Sequence, residues 1–432
     1  MQVHSLSYVD IQTRLNLQHN TLTVIDDVEQ GVVVDEDIWV SCYQAGSSSV
    51  HGKVKVYQSN GQLKLLPRDG VEIERLTNTS FKVSFHALGV HDRLVRFPKH
   101  VVSPPKNQNP QYSSLHINSV DEHSGNVVVG GSDGYAAIIP HEGEPVLLEG
   151  HVGDVLVVKW FPSGKVILTA SSDLSLRIYS DTGLNPRILR GHTRAITSLH
   201  ILSVGREVLS ASKDGTIRLW HVGESQQVRR WDTQPRTAIE GIVVIDAPFI
   251  RHLGVEGDQA IITGLQDGEL EIFPWSGEGR RIKAMEGVGK LNCISYDGRE
   301  TVVTGHTDGT VILRRLSDLQ NGWCMRRNQS PIYSLAVRQQ QTPRSTPPTS
   351  SPLLEVVGKT VNETVEDVEI LNLYIGTAAG LPARLRFEWK EGWTVKETDE
   401  LAGWEAESVE SIVIASSGEV WCAGGQGCIR RY

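Results

Sequence analysis

Three residues whose side chains could together perform nucleophilic catalysis lie close in sequence: His192, Ser210 and Asp214. In acyl transfer, an aspartate orients a histidine, which removes the proton from an attacking serine. The same residue types can instead fasten a turn, because an aspartate accepts hydrogen bonds from backbone N–H groups and from an imidazole. Asp214 lies in a tight turn between two apolar runs, SASKDGTIRLW at 210–220, and its neighbours alone do not decide between these uses.

The turn aspartate recurs along the chain, which decides the question. Five copies of the stretch place it at Asp133, Asp173, Asp214, Asp267 and Asp308, and weaker copies at 374–387 and 421–432 bring the units to seven. A structural device recurs in every unit of a repeat protein, whereas a serine inside a strand lacks the exposed elbow of a hydrolase. The repetition predicts a structural role and no catalytic residues.

The copies are mostly 40 or 41 residues apart, and each unit reads as short strands joined by turns. This pattern resembles WD repeats, whose units form four-stranded propeller blades. The resemblance implies an all-β, seven-bladed propeller in which a histidine, a hydroxyl, an aspartate and an indole form one hydrogen-bond relay. The matching residues are His192, Ser210, Asp214 and Trp220, and less fully His151, Thr169, Asp173 and Tyr179. The unit of Asp308 departs from it, with Glu286 and Arg314 at the histidine and tryptophan positions.

The strand pattern divides the chain into three parts. Residues 1–92 predict a small β-rich N-terminal domain, for which a degenerate eighth blade is the alternative, and residues 93–110 predict a Pro- and Asn-rich linker. Residues 111–432 predict the propeller, with insertions at 246–258 and 338–369. Because the seventh unit stops at its third strand, we expect RLVRF (93–97) or HVVS (100–103) to supply its outer strand.

Composition narrows the function classes. The net charge is -9 and the arginine pairs are scattered, so nucleic acid is not an expected partner. No run approaches the ~18 apolar residues of a membrane span, and the five cysteines match neither a disulfide framework nor a zinc ribbon. The GxSxG, GxxxxGK[ST] and HExxH motifs are absent. We therefore expect a soluble, non-enzymatic protein that needs no metal or cofactor.

Acidity concentrates in one segment that is also rich in tryptophan. Residues 354–410 hold 13 acidic and 5 basic residues. The stretch LAGWEAESVE (401–410) reads as the loop between the sixth and seventh blades, where an aromatic anchor ringed by carboxylates suits a basic protein partner. In the alternative, the tryptophan packs over its blade and the glutamates are solvated. The expected contact residues are Trp404, Glu405, Glu407, Glu410, Asp154 and Glu240.

The phrases HVGDVLVVKWFPSGKVILTASSDLSLRIYS (151–180) and GREVLSASKDGTIRLWHVGES (205–225) resemble the proteasomal ATPase-associated factor family. The resemblance implies an assembly chaperone that binds the C-terminal domain of a proteasomal ATPase subunit while the base of the regulatory particle forms. We also expect a monomer, and the scattered cysteines, read as reduced thiols, predict a cytosolic or nuclear protein. The alternative is a generic WD-repeat scaffold or a substrate receptor of a ubiquitin ligase, although WHVG (220–223) replaces the WDxR common in such receptors.

Overall fold

Short strands joined by tight turns make up almost all of the computed structural model. The structure describes residues 9–10, 13–44, 47–104, 115–340, 369–404 and 407–432. Within these ranges there is one α-helix, α1 (Thr21–Glu29), and the all-β prediction is confirmed. None of the helical segments in the described chain has the length and apolar character to cross a membrane.

The N-terminal hundred residues contribute nine strands. They are β1 (Val9–Asp10), β2 (Thr13–Leu17), β3 (Asp35–Gln44), β4 (Val50–Ser59), β5 (Gln62–Pro67), β6 (Val71–Thr77), β7 (Ser80–Phe85), β8 (Val90–Arg96) and β9 (His100–Val102). Strands β2 to β5 form an antiparallel four-stranded sheet, the N-terminal sheet, against which α1 packs. The helix was not predicted. Its buried residues Thr21, Val24, Ile25 and Val28 nevertheless follow the spacing of a helix face.

Seven further sheets follow in chain order. The first contains β10 (Ile117–His123), β11 (Asn126–Gly131), β12 (Ala136–Ile139) and β13 (Val146–Leu147). The second contains β14 (Val155–Trp160), β15 (Val166–Ser171), β16 (Ser175–Ser180) and β17 (Arg187–Arg190). The third contains β18 (Ile196–Leu202), β19 (Glu207–Ser212), β20 (Thr216–His221) and β21 (Gln226–Asp232). The fourth contains β22 (Ile239–Asp246), β23 (Gln259–Leu265), β24 (Leu270–Pro274) and β25 (Arg280–Ile282).

The remaining three sheets also take strands from the N-terminal region. The fifth contains β26 (Leu291–Tyr296), β27 (Thr301–His306), β28 (Thr310–Arg315) and β29 (Asp318–Arg326), and β1 pairs in parallel with β29. The sixth contains β30 (Ile332–Gln340), β31 (Glu369–Thr377), β32 (Ala383–Trp389) and β33 (Trp393–Leu401), and β8 pairs in parallel with β33. The seventh contains β34 (Val409–Ile414), β35 (Val420–Gly424) and β36 (Ile429–Arg431), with β9 antiparallel to β36.

The innermost strands of these seven sheets form a closed ring. Each contacts the innermost strand of the next sheet, from β10 through β14, β18, β22, β26 and β30 to β34, and β34 contacts β10 again. Because the side chains of a strand alternate between its two faces, adjacent sheets bury apolar side chains between them. Ile167 and Tyr179 of the second sheet, for example, share one buried cluster with Val128 and Ile138 of the first. The ring closes without the N-terminal sheet, which lies beside the sixth sheet through contacts of β2 with β8 and β33.

The N-terminal strands cover the outer edges of the fifth, sixth and seventh sheets. HVVS contains β9, the outer strand of the seventh sheet, whereas RLVRF belongs mostly to β8, which extends the sixth sheet. The sixth sheet continues from β33 through β8 and β7 to β6. The expected domain boundary between residues 92 and 93 therefore falls inside β8. Pairing both sides of an outer strand removes the exposed edge that invites aggregation.

The two insertions differ in what the structure describes. The first, at 246–258, joins β22 to β23 and contains a short 3-10 helix, Phe249–Leu253, whose Ile250 and Leu253 are buried against the fourth sheet. The second lies between β30 and β31, and its residues 341–368 fall outside the described residues. Both connect an innermost strand to its neighbour in the same sheet.

Candidate functional site

The relay of the third sheet has the geometry of a turn fastener. The Trp220 indole N–H donates to Ser210 Oγ at 2.8 Å, Ser210 Oγ lies 2.8 Å from His192 Nε2, and His192 Nδ1 lies 2.9 Å from Asp214 Oδ2. Because Nδ1 faces a carboxylate, it carries the ring proton and Nε2 accepts from the serine hydroxyl. Asp214 also accepts from the backbone N–H groups of Thr193 and Thr216.

Burial and satisfied hydrogen bonds exclude these residues from attacking a substrate. His192, Ser210 and Trp220 are all buried, and the serine oxygen already contacts an indole N–H and an imidazole. Burial lowers the pKa of His192, and the hydrogen bond from His192 is the largest influence lowering the pKa of Asp214. A neutral histidine and an ionised aspartate are the states that this chain of donors and acceptors requires.

The second sheet repeats two of the three side-chain contacts that link the relay residues. His151 lies 2.8 Å from Asp173 Oδ2 through Nδ1 and 2.7 Å from Thr169 Oγ1 through Nε2. Tyr179, expected as the fourth member, instead donates from its hydroxyl to the Glu149 carbonyl at 2.9 Å. A phenol carries its donor at the tip of the ring, whereas an indole N–H lies along the ring's side, so the tyrosine reaches past the threonine to the adjoining loop.

The fifth sheet builds a different relay that the sequence reading missed. Arg314 donates to Thr304 Oγ1 at 3.0 Å, this hydroxyl lies 3.0 Å from His306 Nε2, and His306 Nδ1 lies 2.9 Å from the Gly289 carbonyl. Here the histidine comes from the strand itself, and a backbone carbonyl takes the place of the aspartate. Burial lowers the pKa of His306 to about 4. The sequence signal was TGHTDG (304–309), with a histidine two residues before the turn aspartate.

The acidic segment is mostly neutralised within the molecule. Of its eight acidic residues that the structure describes, seven form ion pairs. The pairs are Glu369 with Arg315, Glu388 with Lys396, Glu397 with Arg384 and Arg386, Asp399 with Arg96 and Arg384, Glu400 with Arg93 and Arg327, Glu407 with Arg430, and Glu410 with His116. The carboxylates of Asp399 and Glu400 fix β8 and the N-terminal sheet to the sixth sheet.

Trp404 is not the exposed anchor that the sequence suggested. It is 2% exposed, its indole N–H donates to the Tyr432 hydroxyl at 2.8 Å, and the Arg430 guanidinium lies 4.1 Å from the centroid of its ring. Glu407 lies 3.4 Å from the same guanidinium, and Glu405 falls outside the described residues. An aromatic ring adjoining apolar strands gains more from burial than from solvent, so Trp404 packs over its sheet.

A β-bulge recurs near the start of all seven innermost strands. In each one the ladder slips by one residue between the first and third positions, which leaves the second residue unpaired and re-aims its side chain. These residues, which we call the bulge ring, are Asn118, Leu156, Thr197, Glu240, Asn292, Tyr333 and Glu410. Each innermost strand is antiparallel to the second strand of its own sheet, so its start lies beside the end of that second strand. The turn with the aspartate follows there, so the bulge ring and the turn aspartates lie at the same end of the ring.

Three members of the bulge ring bind the neighbouring sheet. Asn118 donates to the Val155 carbonyl at 3.2 Å, Thr197 to the Ile239 carbonyl at 2.7 Å and Asn292 to the Ile332 carbonyl at 3.2 Å. Each bond joins two consecutive sheets across the ring. These three polar side chains are therefore committed to holding the ring together.

The other polar members of the bulge ring are an aromatic residue and two glutamates. Tyr333 is 38% exposed, Glu240 lies 3.7 Å from Lys213, and Glu410 lies 3.1 Å from His116, whose pKa this hydrogen bond raises. Burial raises the pKa of Glu240. Asp154, one residue before β14, is exposed and accepts a hydrogen bond from the Asp133 backbone at 2.9 Å. Three of the expected contact residues thus lie at one end of the ring.

Among the described residues there is no group of three or more His, Cys, Asp or Glu side chains arranged to hold a metal ion. The cysteine thiols are buried or half-buried, and burial raises the pKa of Cys293 to about 12. Such a thiol is a poor nucleophile at neutral pH because little of it is thiolate.

Comparison with known proteins agrees with this geometry. The family described as "WD domain, G-beta repeat" matches residues 144–180 and 184–221. These residues contain the outer strand of the first sheet, all of the second sheet and the first three strands of the third. Two solved structures, "Crystal structure of RRP9 WD40 repeats" and "Structure of U3-55K", each superpose with a TM-score of 0.56 over 77% of this chain and 99% of theirs, at 14% and 15% identity.

Two curated relatives are similar over shorter stretches. The "26S proteasome regulatory subunit RPN14" of Saccharomyces cerevisiae is 39% identical over 59 residues, 13% of this chain and 14% of that protein. The "U5 small nuclear ribonucleoprotein 40 kDa protein" of Dictyostelium discoideum is 22% identical over 194 residues, 44% of this chain and 49% of that protein. The matches thus span half or less of these relatives. The described fold is that of a WD40-repeat propeller, and the chain contains WD40 repeats at 144–180 and 184–221.

Proposed function

We propose that this protein is a non-enzymatic assembly chaperone that binds the C-terminal domain of a proteasomal ATPase subunit while the base of the regulatory particle forms. The observation that carries the proposal is the acidic and aromatic end of the bulge ring, with Glu240, Tyr333, Glu410 and neighbouring Asp154. Its partner is a protein surface with basic groups. The similarity to the yeast proteasome regulatory subunit supports the choice of complex, which also suggests the cytoplasm or nucleus as location.

The relation of these residues to the fold explains why they suit binding. The bulge leaves each second residue out of the ladder and re-aims its side chain. Asn118, Thr197 and Asn292 bind the next sheet, whereas Tyr333 and Asp154 expose their side chains. Tyrosine is frequent at energetically dominant contacts, and carboxylates steer a basic partner into register.

Such a chaperone works by occupancy. While the rim of the ring covers the ATPase domain, that domain is hindered from docking onto the proteasome core, and later contacts of the complex compete for the same surface. This mechanism needs no reacting group, in keeping with the buried, satisfied state of His192 and Ser210.

The test is isothermal titration of the full chain with recombinant C-terminal domains of the proteasomal ATPase subunits. We expect one of them to bind, and the Asp154→Lys, Glu410→Gln double variant to weaken binding at least tenfold, which corresponds to about 1.4 kcal/mol. Binding should also weaken as the salt concentration rises, because the contact depends on opposite charges.

The matched control is the Glu142→Gln, Glu144→Gln variant. Both glutamates are exposed and lie between β12 and β13, at the opposite end of the ring, so we expect unchanged affinity. Equal loss in both variants would place the contact elsewhere or show a general charge effect. Absence of binding to every ATPase domain would overturn the proposed partner.

A scaffold role in another multi-subunit complex is the second candidate. It is favoured by the similarity to the U5 small nuclear ribonucleoprotein relative, which covers more of this chain than the similarity to the proteasome regulatory subunit does. Failure of the titrations, together with a retained effect of the Asp154 and Glu410 substitutions on another isolated partner, would support it.

A further inference from the structure

A cleft of about 480 Å³ separates the N-terminal sheet from the sixth sheet. Arg14, Trp39 and Tyr43 line it from β2 and β3, while Leu381 and the buried ring of Trp404 line it from the propeller side. Its volume lies in the range of about 300–1,000 Å³ in which proteins bind small ligands and peptide side chains. None of the described residues that line it is acidic.

Strand pairing explains why this face of the N-terminal sheet collects basic and aromatic groups. Arg14 lies opposite Tyr43 across β2 and β3, and Trp39 lies opposite Lys53 across β3 and β4. Their neighbours along β3, such as Val40 and Cys42, point the other way into the core, as the two-residue period of a strand requires. The cleft face therefore carries the polar half of a regular alternation.

Arg14 is a half-buried cation with no carboxylate of its own. Among the described residues no acidic group lies within ion-pair distance of Arg14, and its nearest ring contact is Tyr43, with the guanidinium carbon 5.6 Å from the ring centroid. Its neighbours Arg93 and Arg327 already share Glu400. Burial and the charge of Arg327 lower the pKa of Arg14, and the more distant charge of Glu400 offsets only part of this effect. A carboxylate entering the cleft would supply the missing opposite charge.

Trp39 provides a second recognition element beside this cation. It is 46% exposed, and Lys53 Nζ lies 4.2 Å from the centroid of its ring. A large aromatic surface left in water within a concave site is a typical anchor for a partner side chain. Arg14 and Trp39 together fit a short peptide in which an apolar or aromatic residue adjoins a carboxylate.

We propose that this cleft binds an acidic peptide segment of a partner protein, with Arg14 holding a carboxylate and Trp39 packing against the neighbouring side chain. A nucleic acid is a less suitable occupant, because the chain carries a net charge of -9 and long polyanions need several phosphate-binding cations. The proposal does not depend on the partner proposed for the bulge ring, because that surface is acidic and the cleft is basic.

The test is fluorescence anisotropy of a fluorescein-labelled peptide, Gly-Glu-Glu-Phe-Glu-Gly with an amidated end, titrated with the full chain. We expect saturable binding that weakens at least tenfold when the three glutamates become glutamines. The Arg14→Gln and Trp39→Ala variants should each weaken binding at least fivefold, with thermal melting used to confirm that both variants fold.

The matched control is Arg68→Gln, because Arg68 is an exposed arginine of the same region, in the turn after β5. We expect it to leave the affinity within twofold. The proposal is overturned by no saturable binding, by equal binding of the glutamine peptide, or by equal loss in the Arg68 variant. Tighter binding of a labelled single-stranded oligonucleotide than of the peptide would also overturn it.

Discussion

The third and sixth sheets hold their polar groups by opposite means. In the third sheet, His192, Ser210, Asp214 and Trp220 all come from one stretch of chain and satisfy one another. In the sixth sheet, Glu400 is bound by Arg93 and Arg327, and Asp399 by Arg96, so most partners come from distant parts of the chain. One sheet carries its own fastener, and the other depends on strands that precede the propeller.

This difference shows why a local motif predicts structure from sequence better than a local excess of charge does. A relay whose members recur at fixed spacing can be recognised in one sequence, because its partners lie in the same repeat. A cluster of acidic residues reveals its charge but not the arginines that neutralise it. The acidic segment therefore suggested a partner surface where the fold instead uses most of the carboxylates internally.

The largest expected effect comes from breaking the ion pairs of the sixth sheet. Glu400→Gln should lower the free energy of unfolding by about 3–5 kcal/mol, because it leaves the fully buried Arg327 side chain without a counter-charge. Urea denaturation measures the change. The control is Glu397→Gln in the same strand, whose side chain is 47% exposed and whose loss should cost less than about 1 kcal/mol.

Equal costs for the two substitutions would contradict the role given to buried ion pairs in joining β8 to the sixth sheet. A larger loss of stability in the Glu400→Gln variant, together with faster proteolysis near residue 93, would support this role, since Arg93 also binds the Glu400 carboxylate.

The next largest loss of stability is expected where a turn aspartate belongs to a complete relay, as in the third sheet, and a smaller loss where it does not, as in the fourth. Asp214→Ala should cost about 2–3 kcal/mol, because it leaves the Thr193 and Thr216 N–H groups and the His192 ring without their acceptor. Asp267→Ala, at the equivalent turn of the fourth sheet, should cost less than about 1 kcal/mol, because that carboxylate is 41% exposed. Chemical denaturation of both variants tests the ranking, and the reverse order would refute it.

The smallest effect is a dependence of stability on pH that the third sheet contributes. Burial lowers the pKa of His192 below its ordinary value of 6.5. Below about pH 6.5 the unfolded chain therefore binds a proton that the folded chain does not, and the free energy of unfolding falls as the pH falls. One such group contributes at most about 1.4 kcal/mol per pH unit.

Thermal or urea unfolding between pH 4.5 and 7 measures this slope. His192→Gln should make the slope shallower than that of the wild-type chain, even though the variant is less stable at every pH. An unaltered slope in the His192 variant would show that its proton does not distinguish the two states.

Much of the architecture could be predicted from turn chemistry. The aspartates of the second and third sheets lie in the turns where the repeats place them, and the hydrogen bonds of His192, Ser210 and Trp220 follow the expected order. Residues 1–92 are also rich in strands, as predicted, among them β4 to β7. These features depend on contacts between residues that are close in sequence.

Other features depend on geometry that the residue types alone do not fix. Whether Tyr179 reaches Thr169 depends on the length of a phenol, and His306 became a relay member through its register in β27. The bulge ring needed the pairing of all seven innermost strands. The charge of Glu240 and Glu410 predicts them as contact residues, but their shared position at a bulge follows only from the strand pairing of the innermost strands.

The strands β1, β8 and β9 pair with β29, β33 and β36, which lie about three hundred residues later in the chain. At roughly 5–20 residues per second of synthesis, these early strands wait tens of seconds before their partners leave the ribosome. During that time their edges and those of the growing sheets stay open to wrong pairing. The outer edges of the fifth, sixth and seventh sheets are therefore paired only after β29, β33 and β36 have been synthesised.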